Sequence, residues 1–224
     1  MSAGHDSRSL LLQGPAGPLE AILWAPAGRR AHPPMAAVVC HPHPLFGGTM
    51  HNKVVYQAAK SLDSLGLAVL RFNFRGVGKS AGTHDRGVGE RDDVSAALDF
   101  LAAEFAGLPL LVAGFSFGSV AGLRVGSEDA RVANLIGLGI PVNSTDFSFL
   151  ADCSKPKLFV QGGNDKYGAI EKTREVVASL PEPKRLVEVA GADHFFAGKL
   201  DQVDKAILSW LRQRISGAAQ NAPS

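Results

Sequence analysis

Cysteine is scarce: the 224 residues hold two, Cys40 and Cys153. Two cysteines make no disulfide framework, and neither sits in a C-x-x-C pair, so both read as free thiols. Long apolar runs are missing too. Nothing approaches the ~18–20 residues needed to span a bilayer, and the polar stretch Met1–Ser9 lacks the apolar stretch of a signal peptide. A soluble, cytoplasmic protein is expected. Charge of one sign is also lacking: 23 Lys plus Arg stand against 21 Asp plus Glu, a net of +2. Nucleic acids and anionic membranes both select for clustered basic charge, so neither is an expected partner. There is no internal repeat and no linker rich enough in Pro, Gly or Ser to divide two domains.

What remains is an ordinary folding composition, 46% hydrophobic and 20% charged. A chain this long buries roughly 70% of its unfolded surface and needs no metal or disulfide to fold. One domain over residues 1–216 is expected, followed by a loose tail at 217–224.

The apolar runs come in order. Leu10–Gln13 and Leu19–Ala25 flank Gly14-Pro15-Ala16-Gly17-Pro18, a hairpin signature. Strand-like runs follow at Ala36–Cys40, Leu67–Phe72, Leu110–Phe115, Leu135–Ile140, Lys157–Gln161 and Leu186–Val189. Most are apolar without alternation, as parallel strands covered on both faces should be. Helical stripes lie between them. Val94, Leu98, Leu101 and Phe105 make one, after Asp92 and Asp93; Leu200, Val203, Ile207, Leu208 and Leu211 make another, closing before Gly217. Alternating strands and helices predict an α/β fold with a mostly parallel, doubly wound sheet and right-handed crossovers.

The most informative stretch is Gly114-Phe115-Ser116-Phe117-Gly118. This is G-x-S-x-G directly after a strand and before a helix rich in small residues. A serine on such a turn projects its hydroxyl above the sheet edge. The following helix offers free N–H groups and a partial positive charge beside it. Serine is a weak nucleophile until an imidazole takes its proton and a carboxylate fixes that imidazole. In doubly wound sheets the working loops follow the carboxyl ends of strands. After Lys157–Gln161 comes Gly162-Gly163-Asn164-Asp165; after Leu186–Val189 comes Ala190-Gly191-Ala192-Asp193-His194. The order Ser116, Asp165, His194 is the one this turn type uses. Asp193 competes as the carboxylate, but its adjacency to His194 turns its side chain away and suits it to capping the loop. Asp146 and Asp152, after the preceding strand, are outside alternatives.

With these motifs the chain resembles the α/β-hydrolases over nearly its whole length, most closely small uncapped bacterial members near the dienelactone hydrolases and carboxylesterases. The resemblance implies a sheet of about eight strands with an antiparallel N-terminal hairpin and no large cap domain. It implies that Ser116 attacks, that His194 acts as general base and then acid, and that Asp165 orients His194. Acyl transfer also needs two N–H donors for the oxyanion. One is the backbone N–H of Phe117, the residue after the nucleophile. Matching Leu45-Phe46-Gly47 to the dienelactone hydrolase loop points to Leu45 for the other, with His43 as the alternative. Pro42 and Pro44 have no N–H to give.

Two other motifs compete for a function. His41 and His43, with His51 and His84, suggest a metal, but H-x-H without a third ligand at fixed spacing is weak. The plainer reading has His41 and His43 packed in their loop, bonding backbone carbonyls, and no metal or cofactor is expected. Gly76, Gly78 and Ala81 loosely match a dinucleotide fingerprint, and Gly78-Lys79-Ser80 the end of a P-loop. The P-loop fails because position 73 is Asn, and the fingerprint fails because residues 82–89 read as loop instead of helix.

Only Pro141–Lys155 separates the strand after the nucleophile helix from the next one, too little for a large lid. The expected site is open and shallow, walled by Leu45, Phe46, Phe117, Val142, Phe147, Phe149, Tyr167, Phe195 and Phe196. With the small net charge and no basic cluster, these point to a small, neutral, apolar ester of short or medium acyl chain. Lactonase, thioesterase and peptidase chemistry use the same constellation, and a non-catalytic binding module is possible on the same fold.

Overall fold

The computed structural model describes residues 5–27 and 33–220, with side chains to residue 215. Two antiparallel strands open it, β1 (His5–Gly14) and β2 (Gly17–Pro26), joined at the Gly14–Gly17 pair. Then come β3 (Ala36–Cys40), α1 (Lys53–Asp63), β4 (Ala68–Phe72), α2 (Gly89–Glu104), β5 (Leu110–Phe115) and α3 (Phe117–Glu128). The remainder is β6 (Val132–Leu138), β7 (Lys157–Gly162), α4 (Ile170–Ser179), β8 (Lys184–Val189) and α5 (Leu200–Gln220).

The eight strands form one sheet in the order β1-β2-β4-β3-β5-β6-β7-β8. β2 meets β4 antiparallel, and every pairing from β4 through β8 is parallel. This is the expected fold, with the hairpin at one edge and no lid. Residues 141–155 hold only a single 3-10 turn, Ser148–Leu150.

The central strands show why no alternation was visible in their sequences. In β3, Ala36, Val38 and Cys40 enter one apolar cluster, while Ala37 and Val39 enter the other. In β5, Leu110 and Val112 face the first cluster, while Leu111, Ala113 and Phe115 face the second. Successive side chains point to opposite faces, and both faces are roofed. α2 and α3 cover the first through Val94, Leu98, Leu101, Ala121 and Leu123. α1 and α5 cover the second through Val54, Ala58, Leu62, Val203, Ile207 and Leu211.

Several boundaries differ from expectation, and three of them have a plain local cause. β6 ends at Leu138 because Gly139 turns at φ 52° and the Ile140 N–H leaves the ladder for the Gln161 side chain. β8 begins at Lys184, two charged residues before its apolar run, because it is an edge strand with solvent on one side. α5 continues past Gly217 to Gln220, so the expected tail begins as helix; residues 221–224 lie outside the described residues.

Candidate active site

Ser116 sits between β5 and α3 with φ 53° and ψ −121°, in a region non-glycine residues rarely visit. The corner is tight enough to require its glycines. A Cβ on Gly114 would lie 2.2 Å from the Gly118 carbonyl oxygen, and one on Gly118 would lie 2.4 Å from the Cys40 carbonyl oxygen. Ser116 is the N-cap of α3, yet its hydroxyl makes no capping bond. It is therefore free to face elsewhere.

It faces His194, whose Nε2 lies 2.9 Å from Ser116 Oγ. His194 Nδ1 lies 2.8 Å from Asp165 Oδ2. A carboxylate only accepts, so Nδ1 carries the ring proton and Nε2 is left to accept from the serine hydroxyl. The imidazole is wedged among Phe115, Tyr167 and Phe195, with centroid separations of 4.9, 4.6 and 5.3 Å. Asp165 is 5% exposed and fully engaged. Its Oδ1 accepts from the N–H groups of Tyr167 and Gly168 at 2.8 and 3.2 Å, and its Oδ2 also accepts from Gln161 Nε2 at 2.9 Å. Ser116, His194 and Asp165, from three separate loops, thus form one hydrogen-bonded line.

The competing carboxylates are committed elsewhere or exposed. Asp193 Oδ1 accepts from the N–H groups of Phe195 and Ala197, the loop-capping role expected of it. Asp146 accepts from the Ser148 N–H and hydroxyl. Asp152 is exposed.

Sequence reading passed over Gln161. Fully buried at the end of β7, it donates to Asp165 Oδ2 and the Gly168 carbonyl and accepts from the Ile140 N–H. It ties the Asp165 loop to the end of β6. No local pattern marks such a residue, because its partners lie on two other segments.

The His41–Gly48 loop differs in detail from what was expected of it. His41 Nδ1 donates to the Pro42 carbonyl at 2.6 Å, and its Nε2 accepts from the Phe74 N–H at 3.0 Å. Burial pushes its pKa down to about 4, so it is a neutral structural residue. His43 caps the 3-10 turn Pro44–Phe46: its Nδ1 accepts from the Leu45 N–H at 3.2 Å. The Leu45 N–H is thus engaged, and the Leu45 side chain, 69% exposed, is not part of the cavity wall. His43 does line the cavity, packed on Phe46, His84 and Phe117. Burial, and His84 after it, lowers its pKa. His84 Nδ1 lies 2.7 Å from Glu90 Oε1. Burial alone would raise the Glu90 pKa, but the N–H groups of Asp85 and Gly87 outweigh it and hold the carboxyl low. Among the described residues no three His, Cys, Asp or Glu side chains converge as metal ligands.

The glycine-rich stretch after β4 is spent on internal bonds. Asn73 accepts from the Met50 N–H and donates to Glu20; Ser80 donates to the Asn73 carbonyl and accepts from the Glu20 N–H. Arg75 forks onto Asp93 of α2 at 2.7 Å. These contacts bind the loop to the hairpin and to α2.

Ser116 and His194 open into a cavity of about 870 Å³. Of the expected wall, Phe46, Phe117, Tyr167 and Phe195 line it, together with Val120 and Ala121. Val142, Phe147 and Phe196 are instead buried in the core, and Phe149 packs beneath the Arg124 guanidinium. The wall also carries Arg86, Arg91 and Arg124, which a count of net charge could not locate.

A serine on a strained corner at the carboxyl edge of a parallel sheet, served by loops from the last two strands, is the architecture of the α/β-hydrolases. The chain belongs to that family: the alpha/beta hydrolase domain matches residues 37–216. Among solved structures it is similar to a serine hydrolase without lid from Xanthomonas campestris, at 38% identity and TM-score 0.85, over 93% of this chain and 94% of that one. It is also similar to an α/β serine hydrolase homologue from Coxiella burnetii, at 40% identity and TM-score 0.84, over 90% and 96%. The dienelactone hydrolase of Anabaena variabilis shares the fold, at 21% identity and TM-score 0.77, over 93% and 98%. Among the described residues no helix is long and apolar enough to cross a membrane.

Proposed function

We propose that the protein hydrolyses carboxylic esters through an acyl-enzyme on Ser116. The observation that carries this reading is the continuous line Ser116 Oγ–His194 Nε2, His194 Nδ1–Asp165 Oδ2, at 2.9 and 2.8 Å. His194 takes the hydroxyl proton as Oγ attacks the carbonyl carbon. It returns that proton to the departing alkoxide, which leaves as alcohol. A water molecule then repeats the sequence on the acyl-serine, releasing the acid and restoring the hydroxyl. Asp165 holds the tautomer and stabilises the imidazolium that forms at each step.

The oxyanion reading needs two donors. Phe117 is the first residue of α3, where an N–H has no partner within the helix. Of the two candidates for the second donor, the bond from the Leu45 N–H to His43 favours the His43 N–H. Leu45 could serve only by giving up that bond.

A fluorophosphonate probe tests the reading. It should label Ser116 in the intact protein, and p-nitrophenyl acetate and butyrate should be turned over. Ser116→Ala should abolish labelling and lower kcat by at least about a thousandfold while leaving thermal unfolding in place. An unlabelled, inactive protein would identify a binding module in place of an enzyme.

A further inference from the structure

The cavity that holds Ser116 carries ionic charge of one sign on its wall. Arg86, Arg91 and Arg124 line it, and no aspartate or glutamate does. Arg86 lies in the turn before α2, Arg91 in the first turn of α2 and Arg124 in the second half of α3. Among the described residues none of the three has a carboxylate oxygen within the 4.0 Å of an ion pair. The contrast with other arginines is direct: Arg75, Arg131 and Arg174 hold carboxylates at 2.7, 2.6 and 2.6 Å. Two of the acids nearby are otherwise engaged. Asp146 feels Arg124 but spends both oxygens on Ser148. Arg91 and Arg124 also border a shallower depression with Asp92, Glu128 and Asp129, and there Asp129 is held by Arg131.

Position tells where a ligand would meet these cations. Arg124 follows Ser116 by eight residues, about 12 Å along the helix axis. Helical side chains lean toward the N-terminus, which brings the guanidinium back toward the nucleophile. Its face rests on Phe149 at 4.3 Å, leaving its N–H edge for an acceptor. Between the two ends the wall is apolar, through Phe117 and Val120. Guanidinium groups match carboxylate and phosphate oxygens in forked pairs, and clustered cations in a cleft raise the local concentration of anions.

We infer that the preferred substrate is an ester carrying an anionic group, carboxylate or phosphate, several atoms from the scissile carbonyl, with that group seated between Arg91 and Arg124 and reached by Arg86. This rests on the hydrolase reading of Ser116 and replaces the expectation of a neutral, apolar substrate. The net charge concealed it because acids elsewhere on the surface cancel these three arginines in the sum.

The experiment compares matched esters on the full chain. The p-nitrophenyl monoester of adipate is set against p-nitrophenyl hexanoate; 4-acetoxybutanoate and 4-acetoxybutyl phosphate are each set against butyl acetate. At low ionic strength at least one anionic ester should exceed its neutral partner in kcat/KM by about tenfold, the scale of a charge-assisted pair. Whether carboxylate or phosphate gains more identifies the source of the anion. The ratio should fall several-fold in about 1 M salt, where screening acts within about 3 Å. It should also fall toward one in Arg124→Gln and in Arg91→Gln, and the salt dependence gives the same information if either variant folds poorly. Neutral esters preferred in every pair, or a preference that survives salt and both substitutions, would overturn the inference. Labelling of Ser116 without any anionic preference would leave the hydrolase reading intact and remove this one; no labelling and no turnover would remove the hydrolase reading itself.

Discussion

Ser116, His194 and Asp165 each do one thing because their surroundings forbid another. Ser116 is at an N-cap position without capping, so its hydroxyl is available. His194 is ringed by aromatic side chains and has one polar partner per nitrogen. Asp165 accepts from two backbone N–H groups and from Gln161, so its orientation is set before any substrate arrives. Asp165→Asn would replace the acceptor facing His194 Nδ1 with an amide and favour the wrong tautomer; kcat should drop by about 10⁴ with little change in KM, as steady-state kinetics would show. Gln161 is a positioning residue. Gln161→Ala leaves the Ile140 N–H and the Gly168 carbonyl without their buried partner, at a cost of about 1–3 kcal/mol in urea denaturation. Its kcat should fall more than its KM rises. A variant with full stability and wild-type kcat would remove Gln161 from that role. Ser116, His194 and Asp165 could be read from sequence because each sits in a short motif at the end of a strand. Gln161 could not, since its meaning lies in three contacts across the sheet. The Leu45 expectation came from matching a loop, and a match of letters does not reveal that His43 takes that N–H.

At the scale of elements, the β5–α3 corner depends on the absence of two side chains. Gly118→Ala would drive a Cβ to 2.4 Å from the Cys40 carbonyl oxygen, which is backbone and cannot move aside. The variant should lose about 3 kcal/mol or more of stability, read as a lowered Tm. An unchanged Tm would mean that α3 does not approach β3 as described. The loop after β3 carries a pH-sensitive contact. His41 is buried neutral, with its pKa lowered to about 4 by desolvation. An unfolded histidine titrates near 6.5, so between these values the unfolded chain binds the proton and the folded one does not. Stability therefore falls as pH drops from about 6.5 toward 4, by roughly 3 kcal/mol from this group, and is regained on returning to neutral pH. Urea midpoints across that range would show it, and a slope of opposite sign would contradict it. The elements themselves were unevenly visible. α1 carries the stripe Val54, Val55, Ala58, Ala59 and Leu62, capped by Asn52, in which two of the five positions are only alanine. α4 buries only Ile170, Thr173 and Val177, too thin a stripe to announce itself.

Over the described residues the molecule is a hydrolase core with no element placed over its cavity. Residues 141–155 pass from β6 to β7 with one 3-10 turn, so no element stands ready to close on the cavity. Turnover of p-nitrophenyl butyrate should rise smoothly through the solubility limit of the substrate. An abrupt gain at aggregation would indicate a gate that the fold does not provide. At this scale the order of apolar runs along the chain agrees with the α/β sheet they form. Net charge gives no positions, because +2 is a sum while Arg86, Arg91 and Arg124 stand together on the cavity wall.

Fluorophosphonate labelling of the native protein and of His194→Ala, followed side by side, reports whether the imidazole activates Ser116 as a nucleophile. The imidazole must take the hydroxyl proton as the serine oxygen attacks, so labelling depends on the ring of His194. Peptide mapping should place the adduct on Ser116, and His194→Ala should abolish it. A label on another residue, or an undiminished rate of labelling in His194→Ala, would contradict that role.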